Sequence, residues 1–66
     1  MPLTPKQMIR LLQKNGFEIV SQNGSHIKMR NPKTHVFTIV PLHVKDLAPG
    51  LEHAILKQAN IERSNA

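Results

Sequence analysis

Cysteine is absent from this chain of 66 residues, and so are tryptophan and tyrosine. Without cysteine the chain has no disulfide scaffold, no zinc finger and no cysteine nucleophile. Nothing argues for an oxidising compartment, so we expect a cytoplasmic protein. The aromatic content is two phenylalanines, Phe17 and Phe37, which is too few for a protein that grips single strands mainly by stacking bases on rings.

Long apolar runs are also missing. No stretch is long enough to span a bilayer, and the first residues lack the apolar core of a signal peptide. We therefore expect no membrane partner. A domain of this size buries only about 60% of the surface that its unfolded chain exposes. We expect one domain over residues 1–66, with a shallow surface site rather than a deep cavity.

Positive charge is in excess. Nine Lys and Arg residues face four Asp and Glu residues, which gives a formal charge of +5 and a pI near 10.3. Such an excess attracts polyanions, with nucleic acid first, although small domains are also basic for solubility alone. With so few aromatic rings, we expect nucleic acid to be bound through charge, shape and hydrogen bonds.

Helix signals lie near both ends of the chain. Thr4 as N-cap, Pro5 in the first turn and Gln7 of a capping box predict a helix that Gly16 ends in the left-handed conformation. The second helix runs to about Ala59. Two starts fit the sequence, a cap at Asp46 or a first residue at Pro49.

The buried face of this second helix is read from apolar spacing. Leu51, Ile55 and Ala59 recur every four residues, and Ala54 widens the face. Asn60 can take the left-handed conformation that ends the helix. The residues after Ile61 form a short polar tail, 62–66.

Three alternating segments between the helices predict strands at 17–22, 26–30 and 35–40. Asn23-Gly24 predicts a hairpin with a type I′ turn, which needs positive φ at both central residues. A second turn lies at Asn31-Pro32-Lys33. The third strand has two possible inward sets, Phe37 with Ile39, or Val36 with Thr38 and Val40, and alternation does not choose between them.

The middle strand alternates clearly. If Ile27 and Met29 pack on the helices, the opposite face carries His26, Lys28 and Arg30 in a row. The element order predicts an α+β fold, α-β-β-β-α, with a three-stranded antiparallel sheet and both helices on one face. The other face stays open to solvent.

That open row has the chemistry to cleave RNA by internal attack. An unperturbed imidazole titrates near pH ~6.5, so His26 can act as base or acid. Lys28 and Arg30 can stabilise charge on the phosphate, or they form only a solvated strand face. A single histidine cannot perform both proton transfers. We predict His43 as the second group, in preference to His35.

No cofactor is expected. The four histidines are not at compact ligand spacing and no carboxylate lies near them in the sequence, so we predict no metal site. Around His26, we predict RNA contacts at Gly24, Ser25, Lys28, Arg30 and Lys45. The alternative is that Gly24 only sets the conformation of the turn and that Ser25 only forms a hydrogen bond within it.

Four segments carry a resemblance to a known family: Gly24-Ser25-His26, Pro41-Leu42-His43, Leu47-Ala48-Pro49-Gly50, and the stretch Ile55–Ile61. In this order and at this spacing they resemble the HicA toxins of bacterial toxin–antitoxin pairs. The resemblance extends from the first helix to Ile61.

This resemblance implies a fold like the double-stranded RNA-binding domain. It also implies an endoribonuclease that cleaves mRNA, inhibits translation and growth, and is neutralised by a HicB-like antitoxin covering the active site. The catalytic histidine of the family corresponds to His26. Two alternatives remain, a non-catalytic double-stranded RNA-binding module and a protein-interaction domain whose basic face binds an acidic partner.

Overall fold

The computed structural model describes residues 3–61, so the predicted polar tail 62–66 lies outside the described residues. The elements are helix α1 (Pro5–Lys14), strands β1 (Glu18–Asn23), β2 (His26–Arg30) and β3 (Phe37–Pro41), and helix α2 (Pro49–Gln58). The strands form one antiparallel sheet in the order β1-β2-β3. This confirms the predicted α+β fold, and it is consistent with a fold like the double-stranded RNA-binding domain.

Helix α1 begins where its local signals predicted. The Thr4 hydroxyl accepts the backbone N–H of Gln7 at 3.2 Å, and the Gln7 side chain accepts the backbone N–H of Thr4 at 2.9 Å. This capping box satisfies two backbone donors that have no partner inside the helix, and Pro5 follows in the first turn.

Both helices end with the same predicted device. Gly16 has φ 93°, and the N–H of Phe17 reaches back to the carbonyl of Leu12 at 2.9 Å. Asn60 has φ 62°, and the N–H of Ile61 reaches back to the carbonyl of Leu56 at 2.9 Å. The left-handed residue reverses the chain so that terminal carbonyls find donors.

The predicted face of α2 was partly wrong. Leu51 is 38% exposed and Ala54 is exposed, whereas Ile55 and Ala59 are buried as predicted. The buried face also includes Glu52 and Leu56, which gives the spacing i, i+3, i+4, i+7 of a helix packed on a core. The helix starts at Pro49 after Ala48, which makes no side-chain cap, so the cap at Asp46 is excluded.

One core joins the helices to one face of the sheet. Ile27 and Met29 of β2 are buried against both helices, which confirms the alternation predicted for this strand. In β3 the inward residues are Thr38 and Val40, so the structure chooses the second of the two possible sets. The core cluster consists of Met8, Leu12, Phe17, Ile27, Met29, Val40, Leu47, Ile55, Leu56 and Ala59.

The first hairpin differs from its prediction by one residue. Asn23 pairs with His26 in the sheet, so the two loop residues are Gly24 and Ser25. Among them only Gly24 has positive φ, 62°, and the predicted type I′ turn is therefore wrong. Positive φ at the first central residue alone, with glycine there, is the pattern of a type II′ turn.

The outer strands differ from their predictions at both ends, since β1 was predicted at 17–22 and β3 at 35–40. Strand β1 starts at Glu18 and carries a bulge at Val20, between the paired residues Ile19 and Ser21. Ile19 is 48% exposed because the helix layer does not cover β1. Strand β3 starts at Phe37 rather than His35, because His35 has φ 63°, which is incompatible with an extended strand.

Within residues 3–61, α1 and α2 have ten residues each, and neither is long and apolar enough to cross a membrane.

The glycines give a stability prediction with opposite signs. Gly16→Ala should lower the free energy of unfolding by about 1–2 kcal/mol, because alanine is strained at positive φ. Gly50→Ala should raise it by up to about 1 kcal/mol, because Gly50 lies in the first turn of α2 with free space around its Cα. Urea unfolding followed by circular dichroism measures both. Equal effects of the two changes would contradict this account of the helix end.

Candidate active site

The sheet has one face turned away from the helices, here called the open face. Residues paired across antiparallel strands share a face, so the register places the neighbours of β2. Strand β1 contributes Glu18, Ser21 and Asn23. Strand β3 contributes Phe37, Ile39 and the buried Pro41. Together with the predicted row, the open face carries Glu18, Ser21, Asn23, His26, Lys28, Arg30, Phe37, Ile39 and Pro41.

The two predicted catalytic residues, His26 and His43, are neighbours at one end of this face. The ring centroids of His26 and His43 are 5.7 Å apart, with the ring planes at 54°. Both side chains are exposed. The hydroxyl oxygen of Ser25 lies 3.5 Å from Nδ1 of His43, at the long limit of hydrogen-bonding distance. Seventeen positions apart in sequence, the two imidazoles are neighbours in the structure.

A backbone hydrogen bond brings the second imidazole there. The N–H of Leu42 donates to the carbonyl of Ser25 at 2.6 Å, which ties the residue after β3 to the β1–β2 turn. Since His43 is the next residue, its side chain emerges beside that turn and therefore beside His26.

The other end of the loop carrying His43 is also anchored. The N–H of Leu47 donates to the carbonyl of Leu3 at 2.8 Å, and the N–H of Leu3 donates to Oε2 of Glu52 at 3.0 Å. Leu47 and Glu52 are both buried. The loop is thus attached to the turn at its start and to α2 at its end, which limits how far His43 can move.

A shallow groove adjoins the pair on the open face. It has a volume of about 320 Å³ and is lined by Ser21, Asn23, His26, Lys28 and Ile39. It therefore joins an imidazole and an ammonium group to a half-exposed apolar side chain. Its shallowness agrees with the surface site expected for a chain of this length.

The remaining cations of the row lie further along the sheet. Nζ of Lys28 lies 4.5 Å from the centroid of the Phe37 ring. Nη2 of Arg30 lies 2.6 Å from Nδ1 of His35. A guanidinium has no acceptor, so Nδ1 of His35 accepts and Nε2 of that ring carries its proton. Glu18 is the cross-strand neighbour of Arg30 and places one negative charge beside it.

Two other predicted contact residues have different positions. Gly24 forms the turn, and its carbonyl accepts from the side-chain amide of Gln22 at 3.0 Å. Lys45 lines a separate groove of about 360 Å³ together with Lys6 and Val44, and it does not line the groove beside His26. A role of Lys45 in RNA binding stays a prediction.

Metal-ligating groups do not cluster in the part of the chain that the structure describes. Residues 3–61 contain no group of three or more His, Asp or Glu side chains placed to hold a metal ion. What the site offers instead is two adjacent exposed imidazoles beside an ammonium group. That arrangement can move two protons at one reacting centre.

Sequence reasoning left the face of Phe37 and Ile39 undecided, and it missed the contact between His35 and Arg30. Phe and Ile are usually buried, so composition gave no signal that these two are half-exposed. Only the register of β3 against β2, in which Ile39 pairs with Lys28 and Phe37 with Arg30, assigns them to the open face.

The sequence matches one protein-family model over residues 5–61, which is most of the chain. That model describes the HicA toxin of bacterial toxin–antitoxin systems. No curated protein matches the sequence.

The charge on the open face predicts how binding of a single-stranded RNA responds to salt. Affinity should fall linearly with the logarithm of salt concentration, because phosphate contacts release counterions. Lys28→Ala and Arg30→Ala should each reduce the slope by about 0.7, the value for one contact to a single strand. Fluorescence anisotropy at several salt concentrations measures this.

Lys14→Ala is the matched control, because Lys14 is exposed in the last turn of α1. It removes the same charge from the helix layer and should leave the slope near that of the unchanged protein. If all three variants had the same salt dependence as the unchanged protein, RNA would bind to a surface other than the open face.

Proposed function

The chain belongs to the HicA toxin family and is the toxin component of a toxin–antitoxin pair; from this premise we propose that it is an endoribonuclease. It cleaves mRNA in the cytoplasm and thereby inhibits translation and growth. The observation that carries the proposal is the pairing of His26 with His43, whose rings are 5.7 Å apart on an exposed, basic face.

The proposed reaction is internal attack by the 2′-oxygen on the adjacent phosphorus. One imidazole, unprotonated, takes the proton of the 2′-hydroxyl as the new P–O bond forms. The other imidazole, protonated, gives its proton to the 5′-oxygen as the old P–O bond breaks. The products are a 2′,3′-cyclic phosphate and a free 5′-hydroxyl. In this scheme His26 and His43 exchange roles as base and acid if the reaction runs backward.

Charge develops on the non-bridging phosphate oxygens during this attack. The Lys28 ammonium lines the same groove as His26 and can stabilise that charge. Ser25 contributes differently, because its hydroxyl contacts Nδ1 of His43 and can hold that ring in orientation. The scheme needs no metal ion.

Removing either imidazole should slow cleavage strongly. His26→Ala and His43→Ala should each lower the rate of mRNA cleavage by about 10²–10⁴-fold, the usual contribution of a positioned acid or base. Both should also relieve growth arrest and retain the circular dichroism spectrum. His53→Ala is the matched control, because His53 is exposed on α2 and should keep full activity.

The same assay, run on a gel with EDTA present, tests the alternatives. Cleavage by the unchanged protein in EDTA supports the metal-independent scheme. RNA that is shifted but intact under all conditions would favour the non-catalytic double-stranded RNA-binding module. A His26→Ala variant that still cuts RNA at the original rate would remove His26 from the mechanism.

A substrate with sulfur in place of the bridging 5′-oxygen separates acid from base. A thiolate leaves without a proton, so the variant that lacks the general acid should regain cleavage on this substrate. The variant that lacks the base should stay inactive. Rescue of one of the two alanine variants supports the scheme, and rescue of neither would mean that another group protonates the leaving oxygen.

The partner proposed for this toxin is a HicB-like antitoxin that covers the open face. Phe37 and Ile39 give that face apolar area beside its cations, so an acidic surface with apolar contacts would complement it. The edge strands β1 and β3 also leave backbone groups on which a partner strand can pair.

Chemical modification of histidines tests where this partner binds. In the complex with the antitoxin encoded beside the toxin, His26 and His43 should react much more slowly with diethyl pyrocarbonate than in the free toxin. His53 on α2 should react equally in both states. If His26 reacted equally fast in the free toxin and in an inactive complex, the antitoxin would not inhibit the toxin by covering this site.

A further inference from the structure

We propose that the open face holds a second nucleotide subsite, formed by Phe37, Arg30 and His35, which binds a nucleotide of a single-stranded RNA away from the bond that is cut. The proposal rests on the proposed endoribonuclease function and specifies how its substrate is gripped. The base would stack on the Phe37 ring, and the phosphate would accept hydrogen bonds from Arg30 and His35.

The exposure of Phe37 is the first support. Of the two phenylalanines, Phe17 is buried in the core while Phe37 is 47% exposed on the open face. Its neighbour Ile39 is equally exposed, and Lys28 already lies over the ring. An aromatic face flanked by cations is the usual platform for an unstacked base.

The pair of Arg30 and His35 is the second support. Arg30 lies directly opposite Phe37 in the register of β2 and β3. Because Nδ1 of His35 accepts from Arg30, the ring has its N–H at Nε2, and the guanidinium keeps further donors. Arg30 and His35 are both exposed. Two neighbouring side chains thus present donors suited to phosphate oxygens.

The backbone of His35 is the third support. His35 has φ 63°, a conformation that costs energy in residues other than glycine. Two backbone hydrogen bonds of the turn hold His35 in this conformation. The N–H of His35 donates to the carbonyl of Asn31 at 2.8 Å, and the N–H of Asn31 donates to the carbonyl of Val36 at 2.8 Å. This conformation brings the imidazole back over β2 to Arg30 instead of continuing the strand.

Lys28 links the two subsites. In the free protein its ammonium lies over the Phe37 ring, yet its side chain also lines the groove beside His26. A cation on an exposed ring is held weakly, whereas a stacked base is held more strongly. A base that stacks on Phe37 therefore displaces the ammonium, which is then available to the phosphate near His26.

Strand geometry sets the separation of the subsites. Arg30 lies four residues from His26 along β2, or about 13 Å at ~3.3 Å per residue. A stacked strand advances about 3.4 Å per nucleotide, so the second subsite is about four nucleotides away, and fewer in an extended strand. A dinucleotide therefore cannot reach it, whereas a longer oligonucleotide can.

Substrate length gives the test. The substrates are oligonucleotides from a dinucleotide to an octanucleotide, built outward in both directions from a bond that the unchanged protein cuts in mRNA. Each has 2′-O-methyl groups everywhere except at that bond. With the unchanged protein, kcat/KM should rise by roughly tenfold or more, mainly through KM, once the chain reaches Phe37.

The variants separate stacking from simple apolar contact. Phe37→Ala and Phe37→Leu should lose the rise with length, whereas Phe37→Tyr should keep it. Arg30→Ala should also lose the rise. Leu51→Ala removes an exposed apolar side chain from α2 and is the matched control, so it should change nothing. A length dependence that survives Phe37→Ala would overturn the subsite, and one that survives Phe37→Leu would exclude stacking.

Binding measurements with oligonucleotides that cannot be cut test the subsite independently of the endoribonuclease activity. Fully 2′-O-methylated oligonucleotides cannot be cut, and their Kd should show the same dependence on length and on Phe37. The ring protons of Phe37 should shift in NMR spectra with the octanucleotide and not with the dinucleotide, with Phe17 as the internal reference. If these results appear without any cleavage, the activity fails and the subsite stands. A protein that neither cuts nor binds these chains would overturn both.

Discussion

The burial of alternate residues in β2 is the constraint on which the site depends. Ile27 and Met29 are almost fully buried against the helices. A slip of one residue in the pairing would turn both toward water and bury His26, Lys28 and Arg30 instead. Each apolar side chain returned to water would cost about 1.5–3 kcal/mol, and unpaired buried charges would cost more. The core therefore fixes the cationic row on the open face, although none of its members belongs to the core.

The proposed site needs a second constraint, because alternation places only one of its two imidazoles. His43 lies in a loop without regular structure, and two backbone hydrogen bonds attach that loop. One joins Leu42 to Ser25, and the other joins Leu47 to Leu3, which is itself bonded to the buried Glu52. A polar side chain in the helix layer thus helps to anchor the end of a loop whose beginning carries His43 beside the open face. This explains how an exposed pair can have a defined geometry in so small a domain.

The predictions that failed concern features set by residues distant in sequence, whereas the local features were predicted correctly. The capping box at Thr4 and the left-handed ends at Gly16 and Asn60 were predicted correctly, since such features depend on residues within one turn. The Asn23-Gly24 turn was misplaced by one residue, since the pairing of Asn23 with His26 is decided by the whole ladder. The face of α2 was partly wrong, because Glu52 is buried by its bond to Leu3, far away in sequence.

The sequence by itself determined the element order, the start of α1, the C-terminal ends of both helices and the face of β2 that carries His26, Lys28 and Arg30. These follow from local capping and from the period of two residues in a strand, which act within a few positions. Only the tertiary structure decided that His43 lies beside His26, that Phe37 and Ile39 share the open face, and that Arg30 contacts His35. Those contacts depend on strand register and loop attachment, which join residues distant in sequence and leave no local pattern.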